Sequence, residues 1–521
     1  MGLKVFKILL LAFFCYVAES ANILALFSSL SFSDHLVFRG YVSRLSRAGH
    51  SVVVMTAYPG HHTASEVERI IELDVSQESL PFWNEWLKLV TNTDDHFTRM
   101  RAINDFSIKL AIAQLKSKQM TALFVNPNVK FDLVITEADV PLLYAAADKY
   151  KVPHVAITTS SGKIHQYEAK GSPTHPILYL DVNTMSYGSS SNWQKLTEFK
   201  RYIQTKYEYY NNYLPLCEIA AQNIFDLKRS LSEVESDIDL LLVSANPVLN
   251  GNRPSSPSIV YTDRLHLKPG FNLPQNLKSV LDAATKGVIY FSIGAIQESE
   301  TLAPQLLQTL ADAFRELPYT VLWKIGNTTA FNKPDNVIAG AWFPQQEILA
   351  HPNVKVFITH GGPRALEEAI FYEVPIVGLP IVRPRIVFMA QVTKHGCGEI
   401  LDPYVLNKDE LKTTIEAVAN NEKYKKSITK LKSIIVDPLI SGPDNAVWWT
   451  EYILRNGGAR HLASPAYTGA IEYYLLDVIS TFLGEALLIL CVSFFLLRWI
   501  IKRLRARFFG RVIESGKFKA L

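Results

Sequence analysis

Between positions 342 and 391 the chain runs WFPQQEILAHPNVKVFITHGGPRALEEAIFYEVPIVGLPIVRPRIVFMAQ, and residue types able to do chemistry crowd together there. The corner Thr359-His360-Gly361-Gly362 follows an apolar run, 354–358, that predicts a buried strand, and it precedes an amphipathic helix. A second buried strand is expected at 376–379. Two glycines let the backbone approach a ligand closely, and the helix start offers unpaired N–H groups and a positive dipole end to an anion. In an open α/β sheet, ligands bind at the carboxyl ends of the strands. A diphosphate would suit such a corner.

This stretch resembles the donor signature of the UDP-glycosyltransferases, membrane-anchored enzymes that move a sugar from a UDP-sugar onto small lipophilic acceptors. The likeness extends from Ala21 to the C-terminal tail. It implies an α/β fold of the GT-B type, with two Rossmann-like domains facing across a cleft, plus a C-terminal transmembrane helix. By the same resemblance, Trp342 would stack on uracil and Gln345 would bond near the base and ribose. Glu368 would accept the ribose hydroxyls, and His360, Gly361 and Gly362 would hold the diphosphate with help from Arg253. For Trp342 and His360 the alternative is ordinary core filling. The expected co-substrate is the UDP-sugar itself, with no further cofactor and no metal.

Inverting transfer needs a base for the acceptor hydroxyl and stabilisation of the departing UDP. The family's catalytic histidine lies sixteen residues before the histidine of a Gly-His pair; counting back from Gly49-His50 reaches Asp34, within Ser33-Asp34-His35. Asp34 is one candidate base, although a carboxylate of pKa about 3.9 is weak unless burial raises it. Equally, Asp34 could cap a helix starting at His35. His35 has the usual chemistry but is turned by about 100° on a helix. Glu137, at the end of the strand 131–135, resembles the family's acidic partner, with Asp139 the alternative.

Other positions depart from the family pattern. Ala365 stands where the family has a glycine, Ala295 where it has a serine, and Pro384-Arg385 where it has the Asp-Gln pair that binds sugar hydroxyls. Proline offers no side-chain donor or acceptor and arginine cannot accept a hydrogen bond. Arg364, Arg383 and Arg385 would form either a cluster for an anionic ligand group or three solvated surface arginines. Two functional readings therefore stand side by side: a UDP-glycosyltransferase with an altered sugar pocket, and a non-catalytic family member that binds a nucleotide or lipophilic ligand or partners an active relative.

The elements that must position these residues follow from pattern. At 521 residues the chain is too long for one ordinary core. Its net charge of +4 is small, with no basic block before the tail, which argues against nucleic acid as a partner. Residues 1–20 carry Lys4 and Lys7, an apolar run and Ala18-Glu19-Ser20, the pattern of a secretory signal peptide. Alternating strands (22–28, 52–55, 131–135, 155–158, 240–243) and helical segments predict an acceptor-binding Rossmann-like domain over 21–248. The region 63–130 is helical in period, and 171–191 has the composition of a loop or lid. A linker with Pro254 and Pro257 covers 249–270, and strands 288–292, 320–323, 354–358 and 376–379 belong to a UDP-sugar-binding domain over 271–445.

Residues 446–475 resemble the family's helix crossing back to the first domain, with Trp448 and Trp449 expected to pack. Residues 476–501 are expected to span a membrane, bordered by Tyr473, Tyr474 and Trp499, and the basic tail 502–521 would face the cytosol. Glu485 within the span would either snorkel or meet another anchor in an oligomer. Lys517 and Lys519 resemble a dilysine retention signal, so the expected location is the endoplasmic reticulum membrane, single-pass type I, with the bulk in the lumen. Asn327-Thr328-Thr329 is an N-glycosylation acceptor. Cys217 and Cys397 fall in different domains, which argues against a disulfide framework.

Overall fold

A computed structural model describes residues 20–60, 68–91, 95–179, 191–268, 273–294, 302–327, 331–381, 386–463, 471 and 475–514. The signal segment, the lid residues 180–190, Ala295, Arg383, Pro384, Arg385 and the dilysine tail lie outside them.

Two parallel sheets organise residues 20–463. The first has the strand order β3-β2-β1-β4-β5-β6-β7, from β1 (Asn22–Leu26), β2 (Ser51–Thr56), β3 (Ile70–Asp74), β4 (Leu133–Glu137), β5 (His154–Thr158), β6 (Leu240–Val243) and β7 (Ile259–Tyr261). The second has the order β10-β9-β8-β11-β12-β13, from β8 (Val288–Ser292), β9 (Thr320–Lys324), β10 (Val337–Gly340), β11 (Val354–Thr359), β12 (Ile376–Gly378) and β13 (Gly398–Ile400). Every strand pair is parallel. Such sheets need cover on both faces, so their inner strands are largely apolar. In β1, Leu24 and Leu26 join one core while Ile23 and Ala25 join the other. In β8, Ile289 and Phe291 alternate likewise with Val288 and Tyr290.

Strand order reverses between β1 and β4 in the first sheet and between β8 and β11 in the second. At such switch points the connections leave in opposite directions and open a crevice at the carboxyl ends. The helix start carrying Asp34 and the end of β4 carrying Glu137 flank the first switch point, where β1 and β4 pair in register at Leu26 and Thr136. His360 follows β11 at the second, where Thr359 pairs with Ser292.

Four strands depart from the expectation. β3, β10 and β13 are short edges with exposed or acidic residues, and β3 interrupts the stretch expected to be helical, of which α2 (His96–Leu115) and α3 (Lys118–Val125) are helix. β7 lies inside the expected linker and completes the first sheet. The helix expected from His35 is α1 (Phe32–Arg47), and its N-cap is Ser31, whose hydroxyl accepts from the Asp34 N–H. Asp34 therefore occupies the first turn and is not the cap, because the serine three residues upstream takes that task.

The helix α5 (Gly442–Asn456) packs on the first domain. Ala446 and Ile453 are fully buried among Ile23, Val37 and Tyr41, and the Tyr41 and Thr450 hydroxyls are 2.5 Å apart. Trp449 is half-buried against this cluster, whereas Trp448 is 43% exposed and stacks on Tyr452. Packing thus describes one tryptophan of the pair.

Residues 465–521 form a separate unit containing one long helix, α6 (Leu476–Glu514). Its segment Leu476–Arg507 is long and apolar enough to cross a membrane.

Replacing Thr450 by Val leaves the Tyr41 hydroxyl buried without its partner, a change that costs about 1–3 kcal/mol. The thermal midpoint of Thr450→Val should fall by several degrees, and Tyr41→Phe added to it should recover most of the loss. A midpoint unchanged in the single variant would show that the hydroxyl pair does not hold α5 in place.

Candidate functional site

The first-domain half of the site is built around Glu137. One carboxylate oxygen, Oε2, accepts from the backbone N–H groups of Ser28 and Ser29, both at 2.9 Å, and so ties the turn after β1 to the end of β4. Burial, with the nearby charges of Asp139 and Asp34, pushes this carboxyl up to about 8, so it is mostly protonated at neutral pH. Asp139 differs: burial raises it, but its ion pair with Lys163 at 2.9 Å outweighs that and holds it below the usual range. No hydrogen bond joins Glu137 to His35 or Asp34 among the described residues.

Asp34 projects from the first turn of α1 and is partly exposed. The Ser29 hydroxyl donates to its Oδ2 at 3.1 Å. Burial raises its carboxyl above the ordinary value, opposed by the Thr159 hydroxyl, the charge of Arg364 and the hydroxyls of Ser31 and Ser29. His35 points the other way, into the core. Its Nε2 donates to the Ser29 carbonyl at 2.6 Å, its Nδ1 accepts from the Thr56 hydroxyl at 3.0 Å, and burial holds it down to about 4. Both ring nitrogens are engaged by the scaffold, and helical rotation turns the ring inward, away from Asp34.

In the second-domain half, Gly361 has φ of 90°, a left-handed conformation that glycine adopts without strain. A Cβ on Gly362 would lie 2.9 Å from Nε2 of the buried His360 ring, so this glycine makes room for the imidazole. Helix α4 (Pro363–Phe371) starts at once, with Gly362 as its N-cap and Pro363 at its first position, where no N–H is needed. Trp342 is 64% exposed. Core filling is thereby excluded for Trp342, whose indole is open to a stacking ligand.

Glu368 lies one turn further along α4 and is buried. Its Oε2 accepts from Gln345 Nε2 at 2.6 Å, and its Oε1 from Gln346 Nε2 at 3.1 Å; the Tyr290 hydroxyl donates to Gln345 Oε1 at 3.3 Å. Gln345 and Glu368, paired on the resemblance, are thus brought together in one network. Gln346, His266 and the neighbouring Glu367 belong to it as well. The doublet Glu367-Glu368 was visible in the sequence; the distant His266 carried no sequence signal.

Arg364 is neither a solvated surface arginine nor, in its contacts here, part of an anion cluster. Only 6% exposed, it reaches from α4 into the first domain. Its Nη2 donates to the carbonyls of Thr159 at 2.5 Å and Ser244 at 2.7 Å, and its Nη1 to the Ser244 hydroxyl at 3.2 Å and to Glu367 Oε2 at 2.9 Å. Those carbonyls follow the carboxyl ends of β5 and β6. Arg383 and Arg385 lie outside the described residues. Arg253 stacks its guanidinium on the Tyr167 ring, 4.0 Å from the centroid, on the first-domain side. Asn327 is exposed at the end of the loop after β9.

Two parallel-sheet domains each carry a loop-and-helix corner at a switch point, and the exposed Trp342 stands three residues before Gln345, which bonds the buried Glu368. The chain belongs to the UDP-glucoronosyl and UDP-glucosyl transferase family, whose model matches residues 23–510. It is 30% identical over 519 residues to UDP-glucosyltransferase 2 of Dactylopius coccus, covering 96% of both chains. It is 28% identical over 514 residues to the ecdysteroid UDP-glucosyltransferase of Spodoptera littoralis nuclear polyhedrosis virus, covering 90% of this chain and 97% of that one. Among solved structures, the calicheamicin glycosyltransferase CalG4 matches with a TM-score of 0.53 and 19% identity over 84% of this chain and 99% of the other, a likeness of fold. The GT-B architecture is therefore that of this chain.

A carboxyl raised from 4.5 to about 8 binds a proton in the folded state that the unfolded chain releases near 4.5. Its contribution to stability is complete below pH 4.5 and is lost as pH rises through about 8. Glu137→Gln keeps an oxygen for the Ser28 and Ser29 N–H groups and cannot ionise. Its thermal midpoint should gain on the unmodified protein as pH goes from 5 to 8; parallel curves would show that Glu137 is ionised throughout.

Proposed function

We propose that this chain is an anchored UDP-glycosyltransferase that moves a hexose from a UDP-sugar to a hydroxyl of a small lipophilic acceptor with inversion, Asp34 acting as the base. The observation that carries the reading is the meeting of the two half-sites: Thr159 lies beside Asp34 and lowers its carboxyl, while the Thr159 carbonyl accepts from Arg364, four residues beyond His360. The candidate base and the start of the phosphate-type helix thus face one crevice.

In this reading the Asp34 carboxylate takes the hydroxyl proton as the acceptor oxygen attacks the anomeric carbon. The bond from that carbon to the β-phosphate oxygen breaks on the opposite side, and UDP leaves with the electron pair. Burial makes Asp34 a stronger base than a free aspartate, and neutral Glu137 adds no repelling charge while it holds the turn before Asp34. The N–H groups opening α4, with His360, would meet the charge growing on the diphosphate. Trp342 would stack on uracil, and Gln345 with Glu368 would hold the ribose. The lipophilic acceptor is supported by the name of the viral relative, which acts on ecdysteroid. The apolar run 478–497 of α6, followed within the same helix by Arg498, Lys502, Arg503, Arg505 and Arg507, supports a single anchor in the endoplasmic reticulum membrane with the bulk in the lumen, and exposed Asn327 fits a glycan there.

One observation favours a second reading, a non-catalytic relative that holds a nucleotide: the histidine beside the expected base position is fully committed to the scaffold. Asp34→Asn separates the two. If Asp34 is the base, the substitution should cut transfer by about 10²–10⁴-fold and leave UDP binding unchanged. Transfer at the original rate would remove Asp34 from the mechanism, and no transfer by the unmodified protein with any UDP-hexose would favour the second reading.

A further inference from the structure

We propose that His266 is a positioning residue through which the nucleotide pocket and the Arg364 bridge between the domains act as one unit. The inference rests on the reading of Glu368 as the ribose-binding carboxylate.

His266 lies just beyond β7, on the segment that joins the two sheets. It is fully buried, with Nδ1 3.6 Å from Glu367 Oε2 and Nε2 3.4 Å from Glu368 Oε1. Neither ring nitrogen makes a hydrogen bond. Consecutive carboxylates of α4 thus flank a single imidazole. Each has a second commitment: Glu367 pairs with Arg364 at 2.9 Å, and Glu368 bonds Gln345 and Gln346. A row of buried polar groups therefore runs from the Thr159 and Ser244 carbonyls through Arg364, Glu367, His266 and Glu368 to Gln345, hydrogen-bonded except at the two His266 contacts.

The backbone around His266 is gripped from both domains. Arg44 of α1 donates to the carbonyls of Leu265 at 2.8 Å and Leu267 at 3.2 Å, while Gln346 donates to the His266 carbonyl at 3.2 Å and accepts from the Lys268 N–H at 3.1 Å. The main chain is fixed, and the ring stands just outside hydrogen-bond geometry to either acid. A shift of a few tenths of an ångström in Glu368 as it takes up ribose hydroxyls decides which acid the ring serves. That choice sets how strongly Glu367 is held and so how much of it remains for Arg364. Coupling of this kind is reciprocal: the bridge favours the nucleotide as much as the nucleotide favours the bridge.

The test is a double-mutant cycle read by calorimetric titration of UDP into the full-length protein in detergent. Glu368→Gln comes first and should abolish UDP binding. Arg364→Met should weaken UDP binding in the unmodified background. In the His266→Phe background, where the ring offers no donor to either acid, the same change should have an effect at least about fivefold smaller. Where Arg364→Met lowers the thermal midpoint too far for titration, Arg364→Lys, which keeps the charge without the forked donors, closes the same cycle. Equal effects of the arginine change in both backgrounds would overturn the coupling. UDP binding unaffected by Glu368→Gln would overturn instead the nucleotide reading, and with it the route through Glu368.

Discussion

The guanidinium of Arg364 is a charge almost wholly removed from water, and the arrangement of the crevice follows from the need to satisfy it. A buried cation survives only when paired and hydrogen-bonded. Here Glu367 supplies the opposite charge, and the Thr159 and Ser244 carbonyls take the forked donors. Because those carbonyls belong to one sheet and the arginine to a helix on the other, satisfying the charge also fixes the distance between the two half-sites. Asp34 feels the same charge from the facing side. Arginine suits this task because its rigid fork can hold three acceptors at once, which a lysine ammonium on a flexible stem does less well.

Each sheet contributes through the same topological device. Reversal of strand order beside β1 and beside β8 leaves a crevice at the carboxyl ends, and the side chains best placed to do chemistry stand there. The two crevices are chemically unlike. The first holds carboxyls that their surroundings drive apart, Glu137 raised by burial and Asp139 held down against burial by Lys163. The second offers backbone N–H groups, a glycine corner and an exposed indole, the equipment for an anion joined to a flat ring. In the proposed function the first crevice would supply the proton acceptor and the second the anion holder that group transfer from a nucleotide requires.

Much of this was legible in the chain. Long buried strands, such as β1, β4, β8 and β11, announce themselves by unbroken apolar runs, and Thr359-His360-Gly361-Gly362 marks its own corner because only glycine suits a φ of 90° and a Cβ-free approach to His360. Edge strands β3, β7, β10 and β13 were not legible, since three to five residues with one exposed side carry too short a pattern to separate from loop. At the site, the pairing of Gln345 with Glu368 came from the family likeness. The inward turn of His35 depended on whether the helix begins at position 32 or 35, a boundary that Ser31 decides. Arg364 left two readings open, an anion cluster or a solvated arginine, because the Thr159 and Ser244 carbonyls that bury it are far away in sequence and are backbone atoms that any residue possesses. For the same reason nothing marked His266.

The central claim is that the corner at His360, with Trp342, Gln345 and Glu368, grips a UDP-sugar. Calorimetric titration of the full-length protein with UDP, UDP-glucose and UDP-glucuronate tests it most directly. The account predicts that UDP binds at one site per chain and that at least one of the UDP-sugars binds more tightly than UDP. Absence of binding by all three would contradict it, leaving the His-Gly-Gly corner as architecture without a ligand.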